Sequence, residues 1–367
     1  MSTVPHRFVT CTPVAFHANE SFYTRDTGLI CKELQKQGFE CRVVMPLPAH
    51  EDDLPTKDLL RVPQQELSNP AWWRSLDIDA VVLYSWADPR YTGIARAIRQ
   101  AGLKLILHFD SSGELHEHLQ RSGSKWFNKA KDVLINRMRA AHMRLAHTIT
   151  TSRPCIVALR KDSYYGPAIA DKCCEFPTPV ESCFRYDGRP KENRIICVGS
   201  WQLPVKRPGV MMSCIKKLLS RHPGAEVDIC GPTTPELEHW RSTLPRLVAA
   251  RVHLHGYCSH EQLCELYQRA CIALCTSESE GSHSASAEAL CCGCSIVCPP
   301  RPLLSVVQWY ASESSGSVAF EDTPDALSAT LYAELENWQL GMRNAAAIAA
   351  TWQPRFQVSR LPGFLQL

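Results

Sequence analysis

Short apolar runs recur along the chain, each followed by a stretch whose apolar positions repeat at helical spacing. In the first half the runs are RFVTCTPV, ECRVVMP, DAVVLYSW, KLILHF and HTITTS. They are nearly continuous in hydrophobicity instead of alternating, as expected for strands covered on both faces. Between the first two, Thr27 to Gln37 carries Leu29, Ile30 and Leu34 on one helical face and stops at Gly38. Residues 90 to 100 repeat the pattern with Ile94 and Ile98, ending at Gly102. Strand and helix in alternation predict a parallel sheet with helices on both sides.

A second series, NRIICVGS, AEVDICG, VHLHGY, IALCTS and CSIVCPP, is separated by predicted helices such as Pro208 to Arg221 and His260 to Arg269. The two series are divided by EFPTPVESCFRYDGRPKEN, whose prolines and charges mark a linker. The expected boundary lies between about residues 178 and 192, giving units over 1–180 and 190–340 and a tail over 341–367. No internal repeat of solenoid length is present. Two doubly wound domains in tandem enclose a cleft, and ligands of such sheets sit at the carboxyl ends of the strands. This architecture suits a two-substrate enzyme.

Composition adds boundaries to that picture. The chain has 367 residues, enough for two cores, with 45% apolar and 21% charged residues, which excludes a disordered chain or coiled coil. The net charge of +3 argues against a surface built throughout for nucleic acid. Charge breaks the N-terminal stretch before signal-peptide length, and no run of 18 apolar residues occurs, so a cytoplasmic protein without a spanning helix is expected. Many of the 18 cysteines sit inside apolar strands, where they act as small hydrophobes. The Cys291-to-Cys294 spacing has no second pair at zinc-finger distance, so no metal site is assigned there. Asp77 and Asp79 form an Asp-x-Asp pair, but at the start of a strand, the wrong end for a carboxyl-edge site.

The segment CTSESEGSHSASAEALCCGCSIVCPP carries the chemistry. It sets Glu280 in a loop and Glu288 inside the helix that follows, which ends at Gly293. A helix N-terminus there would offer free N–H groups and a positive dipole end to a diphosphate. The spacing of the two carboxylates, with Ala289 and Gly293 after the second, resembles the retaining glycosyltransferases of family 4, which have the two-domain GT-B fold.

The resemblance covers roughly residues 193 to 300 well and the N-terminal half in outline. It implies an α/β protein with two Rossmann-like domains facing a central cleft, transferring a sugar from a UDP- or GDP-linked donor with retention, without a metal or further cofactor. It places Glu280 at the sugar hydroxyls, Glu288 at the ribose, Lys206 on the diphosphate with Arg207 beside it, and Gly199 at the first turn of the nucleotide domain. Gly231, Tyr257, Cys258 and Gly281 to Ser284 (with Ser282 and His283) complete the donor side. In LILHFDSSGE, it makes His108 a contact near the reaction centre, while His17, Asn19, Glu20 and Asp110 are assigned to the acceptor side. TWQPRFQVSRLPGF resembles the tail that returns to the first domain.

The chain departs from that family at three places. Ser200 stands where relatives carry an arginine six residues before the lysine, removing one of two cations expected at the diphosphate. Ser282 and His283 follow the first glutamate in place of Phe-Gly, and the first loop lacks the Gly-Gly pair. A nucleotide-sugar epimerase of the same fold and a non-catalytic nucleotide-sugar-binding protein are the alternative readings. The resemblance leaves the acceptor open among a glycan, a lipid and a small molecule. From Arg121 to Lys161, ten basic residues face the single acid Asp132, a local +9. That stretch suits an anionic membrane surface or an anionic acceptor, with nucleic acid disfavoured for want of a binding motif.

Overall fold

The computed structural model describes residues 7–365, apart from 86, 87, 89 and 312. The chain divides into one unit of Met1–Glu181 with Phe356–Leu367 and a second of Ser182–Arg355. Residues 341–355 therefore stay with the second unit, and the segment from Phe356 onward joins the first.

The first unit is built on seven parallel strands: β1 (Arg7–Cys11), β2 (Glu40–Pro46), β3 (Leu59–Val62), β4 (Ala80–Tyr84), β5 (Lys104–His108), β6 (Thr148–Thr151) and β7 (Cys173–Glu175). Their order is β3-β2-β1-β4-β5-β6-β7. Within the strands, side-chain parity divides the core. Val9, Val81, Leu83, Leu105 and Leu107 face the helix Arg90–Gln100, whereas Phe8, Val82 and Ile106 face Ile30 and Leu34 of the helix Asp26–Lys36, together with Val358 and Leu361. The expected strand through residue 86 spans Ala80–Tyr84, residue 86 itself lying outside the described residues. Strands β3 and β7 are additions at the sheet edges.

In the second unit, β8 (Glu192–Val198), β9 (Glu226–Cys230), β10 (Val252–Gly256), β11 (Ala270–Leu274), β12 (Ser295–Cys298) and β13 (Gly316–Val318) form a parallel sheet in the order β10-β9-β8-β11-β12-β13. The helix Pro208–Arg221 buries Met211, Cys214, Ile215 and Leu218 at a spacing of three and four, and a capping box of Ser259 and Gln262 starts His260–Arg269. All 18 cysteines are free, and most are buried. Cys294 donates its thiol to the carbonyls of Tyr267 and Ala270 at 3.2 Å. Asp77 and Asp79 lie at the amino edge of the first sheet and pair with Arg7.

The short edge strand β13 is fastened by a buried carboxylate. Glu334, fully buried in the helix Pro324–Gln339, meets Arg343 Nε at 2.6 Å and accepts from Ser317 Oγ at 2.7 Å. Arg343 also reaches the Gly316 carbonyl at 2.9 Å. Burial raises the carboxyl pKa, but the bonds from Arg343 and Ser317 outweigh it and hold Glu334 below its ordinary 4.5. Glu334→Ala would leave a mostly buried guanidinium uncompensated and should cost about 3–5 kcal/mol in denaturant unfolding. Because the folded value is depressed, the wild-type contribution is complete above pH 4.5 and is lost as pH falls through the folded value. The variant's stability should depend less on pH in that acid range.

Candidate functional site

Strand order reverses between β8 and β11, the point at which loops leaving the carboxyl edge diverge and open a crevice. Both loops carry residues singled out in the sequence. After β8, the chain turns at Gly199, runs through the short 3-10 turn Pro204–Lys206, and enters the helix Pro208–Arg221. After β11, it passes Thr276 and Glu280 before entering the helix Ser284–Cys291.

Three hydrogen bonds fix the second loop. Thr276 Oγ1 donates to the Lys206 carbonyl at 2.9 Å, the Glu278 N–H to Val205 at 2.7 Å, and the Glu280 N–H to Leu303 at 3.2 Å. Lys206 Nζ and Glu280 Oε1 consequently meet at 2.6 Å, with side chains only 19% and 14% exposed. Burial acts to raise the Glu280 carboxyl pKa, and His283 and Lys206 together bring it below its ordinary value. Desolvation pushes the His283 imidazole down to about 4, so at neutral pH Lys206 is the cation Glu280 meets. This pair is an anchored charge couple at the crevice.

The glycines beside it set how closely the backbone packs. Gly231, at φ +118°, gives its N–H to Gly256 at 2.7 Å, and a Cβ there would lie 1.8 Å from the Gly199 carbonyl oxygen. Trp201 lies under this turn, its indole N–H on the Cys230 carbonyl at 2.9 Å and its ring 3.4 Å from where a Gly199 Cβ would stand. Ser200, at the position where an arginine was expected, accepts from the Leu203 N–H through its carbonyl.

The helix Ser284–Cys291 starts at His283, in the left-handed region at φ +48°, and no side chain caps its first turn. His283 Nδ1 contacts Ser286 Oγ at 2.7 Å. Ser284 is exposed, Gly281 half-buried and Ser282 buried. The open N–H groups of such a turn attract anions.

Other candidates are arranged differently. Glu288 is 9% exposed and accepts from the buried Tyr267 hydroxyl at 3.2 Å. Arg207, left-handed at φ +54°, sends its guanidinium to Asp322 at 2.6 Å, and Arg301 grips the same carboxylate, so Arg207 is committed to an ion pair apart from Lys206. Tyr257 is 77% exposed just beyond β10, and the Cys258 thiol donates to Gly256 at 3.6 Å.

In the first unit, His108, expected as a contact near the reaction centre, lies buried at the end of β5. Its register in β5 points it toward the same face as Ile106, into the core, where it is fully buried. Nδ1 contacts Thr150 Oγ1 at 3.0 Å, the ring packs against Tyr84 and Phe176, and burial lowers its pKa to about 3. A neutral core histidine results. Asp110 accepts from the Tyr84 hydroxyl at 3.2 Å. His17 and Asn19 both hold Asp52, at 2.6 and 2.8 Å, while Glu20 is exposed nearby. Their loop is anchored by Asp53, which receives the Ala18 N–H at 2.7 Å and binds Arg61, itself bonded to the Phe16 carbonyl. Burial would raise Asp53, but Arg61 and the backbone bonds lower it to about 2.

Sequence reasoning missed Asp53, Arg61, Trp201, Thr276, Arg301 and Asp322. A signal existed for Arg301, which directly follows the end of CSIVCPP.

Over 98% of both chains, the fold superposes on HepE from Anabaena, solved in complex with UDP, with a TM-score of 0.66 at 13% identity. The fold is GT-B. WaaG, a glycosyltransferase involved in lipopolysaccharide biosynthesis, gives 0.63 at 16% identity over 97% of this chain and 98% of that one. Sucrose-phosphate synthase from Thermosynechococcus elongatus gives 0.63 at 13% over 98% and 97%. Residues 192–337 of the second GT-B unit match the family model described as Glycosyl transferases group 1. No curated protein sequence matches the chain.

Gly231→Ala tests the close approach at this edge. It combines a forbidden φ with a backbone collision, so it should destabilise by at least about 3 kcal/mol, measured as lost thermal stability. Gly209→Ala, where a Cβ meets nothing within 4 Å, is the control.

Proposed function

We propose that this protein is a retaining glycosyltransferase using a nucleoside diphosphate sugar, with UDP as the favoured carrier. The observation that carries the reading is the Lys206–Glu280 pair, 2.6 Å apart at the strand-order reversal and close in sequence to an uncapped helix N-terminus. The group 1 family match over residues 192–337 supports the reaction class. HepE, solved with UDP and with UDP-glucose, supports a uridine donor.

In this reading, the carboxylate and ammonium have complementary tasks. Lys206 and the first-turn N–H groups of Ser284–Cys291 take the negative charge that develops on the departing diphosphate. Glu280 is an ionised acceptor for the sugar hydroxyls and fixes the sugar's orientation. Glu288 acts at the nucleoside, together with Tyr257 and Cys258 beyond β10. The loop holding His17, Asn19 and Glu20, with Asp110, serves the acceptor.

The anomeric C–O bond to the β-phosphate breaks through an oxocarbenium-like transition state. The acceptor oxygen bonds to the same face, and its proton passes to the leaving phosphate oxygen. No protein base, metal or additional cofactor enters this sequence. Ser200 leaves one expected cation missing, a feature that favours a binding-only protein as the second reading.

Glu280→Gln should reduce transfer by about 100-fold or more while leaving nucleotide affinity nearly unchanged. Glu288→Ala should weaken nucleotide binding first. Turnover and calorimetric binding of both variants decide the matter. Equal losses confined to binding would overturn the assignment of roles, and tight wild-type donor binding without transfer or donor turnover would support the binding-only reading.

A further inference from the structure

The helix Lys125–Met143 of the first unit buries polar side chains along most of its length, with Ala140 and Met143 joining the core at its end. Its buried side carries Asn128, Asp132 and Asn136, four residues apart. Asp132, 1% exposed, accepts the Leu119 N–H at 3.0 Å and His118 Nδ1 at 2.8 Å. Asn136, fully buried, donates to the Leu115 carbonyl and accepts from the Tyr165 hydroxyl at 2.7 Å. The polar side of the helix thus holds the loop before it.

At 100° per residue, Phe127, Ala130 and Leu134 lie opposite Asp132. Phe127 is 61% exposed, Leu134 59%, and Trp126, at the flank, 79%. Lys131 and Arg137 are exposed beside this stripe and Lys129 is exposed on the flank nearer Asp132, and none of the three makes an ion pair among the described residues. Three other charges in the basic segment are answered by carboxylates: Arg153 by Glu175, Arg160 by Asp171 and Arg139 by Glu117. The helix's one carboxylate, Asp132, points inward. Its outward surface therefore combines bulky apolar groups with cations and no acid.

We propose that this face docks onto the surface of an anionic phospholipid bilayer. Phe127, Leu134 and Trp126 enter the boundary between headgroups and acyl chains, and Lys129, Lys131 and Arg137 meet lipid phosphates. A polynucleotide would answer the charges and leave Leu134 without a partner. A second copy of the same face would set lysine against lysine. The inference is independent of the transfer chemistry, and its failure leaves that reading untouched.

The test uses the full chain with vesicles of phosphatidylcholine, alone or mixed with phosphatidylglycerol, in a sedimentation assay. Binding should require the anionic lipid and weaken with salt. Trp126 fluorescence, isolated by subtracting the spectrum of Trp126→Phe, should shift to the blue. Phe127→Ser combined with Leu134→Ser should reduce binding by about tenfold or more, with the melting temperature unchanged because both side chains are exposed. Lys129→Glu with Lys131→Glu should act similarly on anionic vesicles. No wild-type binding at low salt, or equal binding by the apolar double variant, would overturn the proposal. So would single-stranded RNA binding without vesicle binding, or self-association abolished by the apolar variant in the absence of any vesicle effect.

Discussion

Lys206 and Glu280 lie 74 positions apart in the chain yet meet at 2.6 Å with little exposure. Sheet order brings them together, since the loops after β8 and β11 leave the same carboxyl edge on either side of the reversal. Taking both charges partly out of water costs energy, which their attraction alone does not reliably repay. Here the loop backbones are already bound through Thr276, Glu278 and Glu280, so little further ordering is needed to form the pair. Glu280 stays ionised and its partner stays aimed, which is the prearranged field that the proposed transfer reaction needs.

The same edge depends on how closely Gly199 and Gly231 approach. A side chain at Gly231 would strike the Gly199 carbonyl and push apart the turns above β8 and β9. Trp201 fills the space below and satisfies the Cys230 carbonyl. Together these contacts hold the turns after β8 and β9 in close backbone approach.

The central strands were legible because buried parallel strands read as apolar runs; ECRVVMP coincides with β2, and Pro208 to Arg221 with its helix. Edge strands β3, β7 and β13 were not, being three or four residues long and largely half-buried, with too little apolar pattern to detect. For the site, resemblance brought Lys206 and Glu280 forward, but Thr276, Leu303 and Asp322 depend on contacts across loops that no local spacing encodes. His108 was recognisable as a strand end; the face it occupies follows from pairing register, which places it with Ile106 in the core. Along Lys125–Met143, the charge excess was visible. Its inward Asn and Asp were not, because a helix normally buries its apolar side.

The most direct test of the account is the melting temperature of the wild-type protein with millimolar UDP, GDP, ADP and dTDP and with their sugar conjugates. A ligand at about 100 times its dissociation constant stabilises by roughly 2.7 kcal/mol. The account predicts a rise with UDP and a UDP-sugar that the other bases do not match. No shift with any nucleotide or conjugate would contradict a donor site built on Lys206 and Glu280.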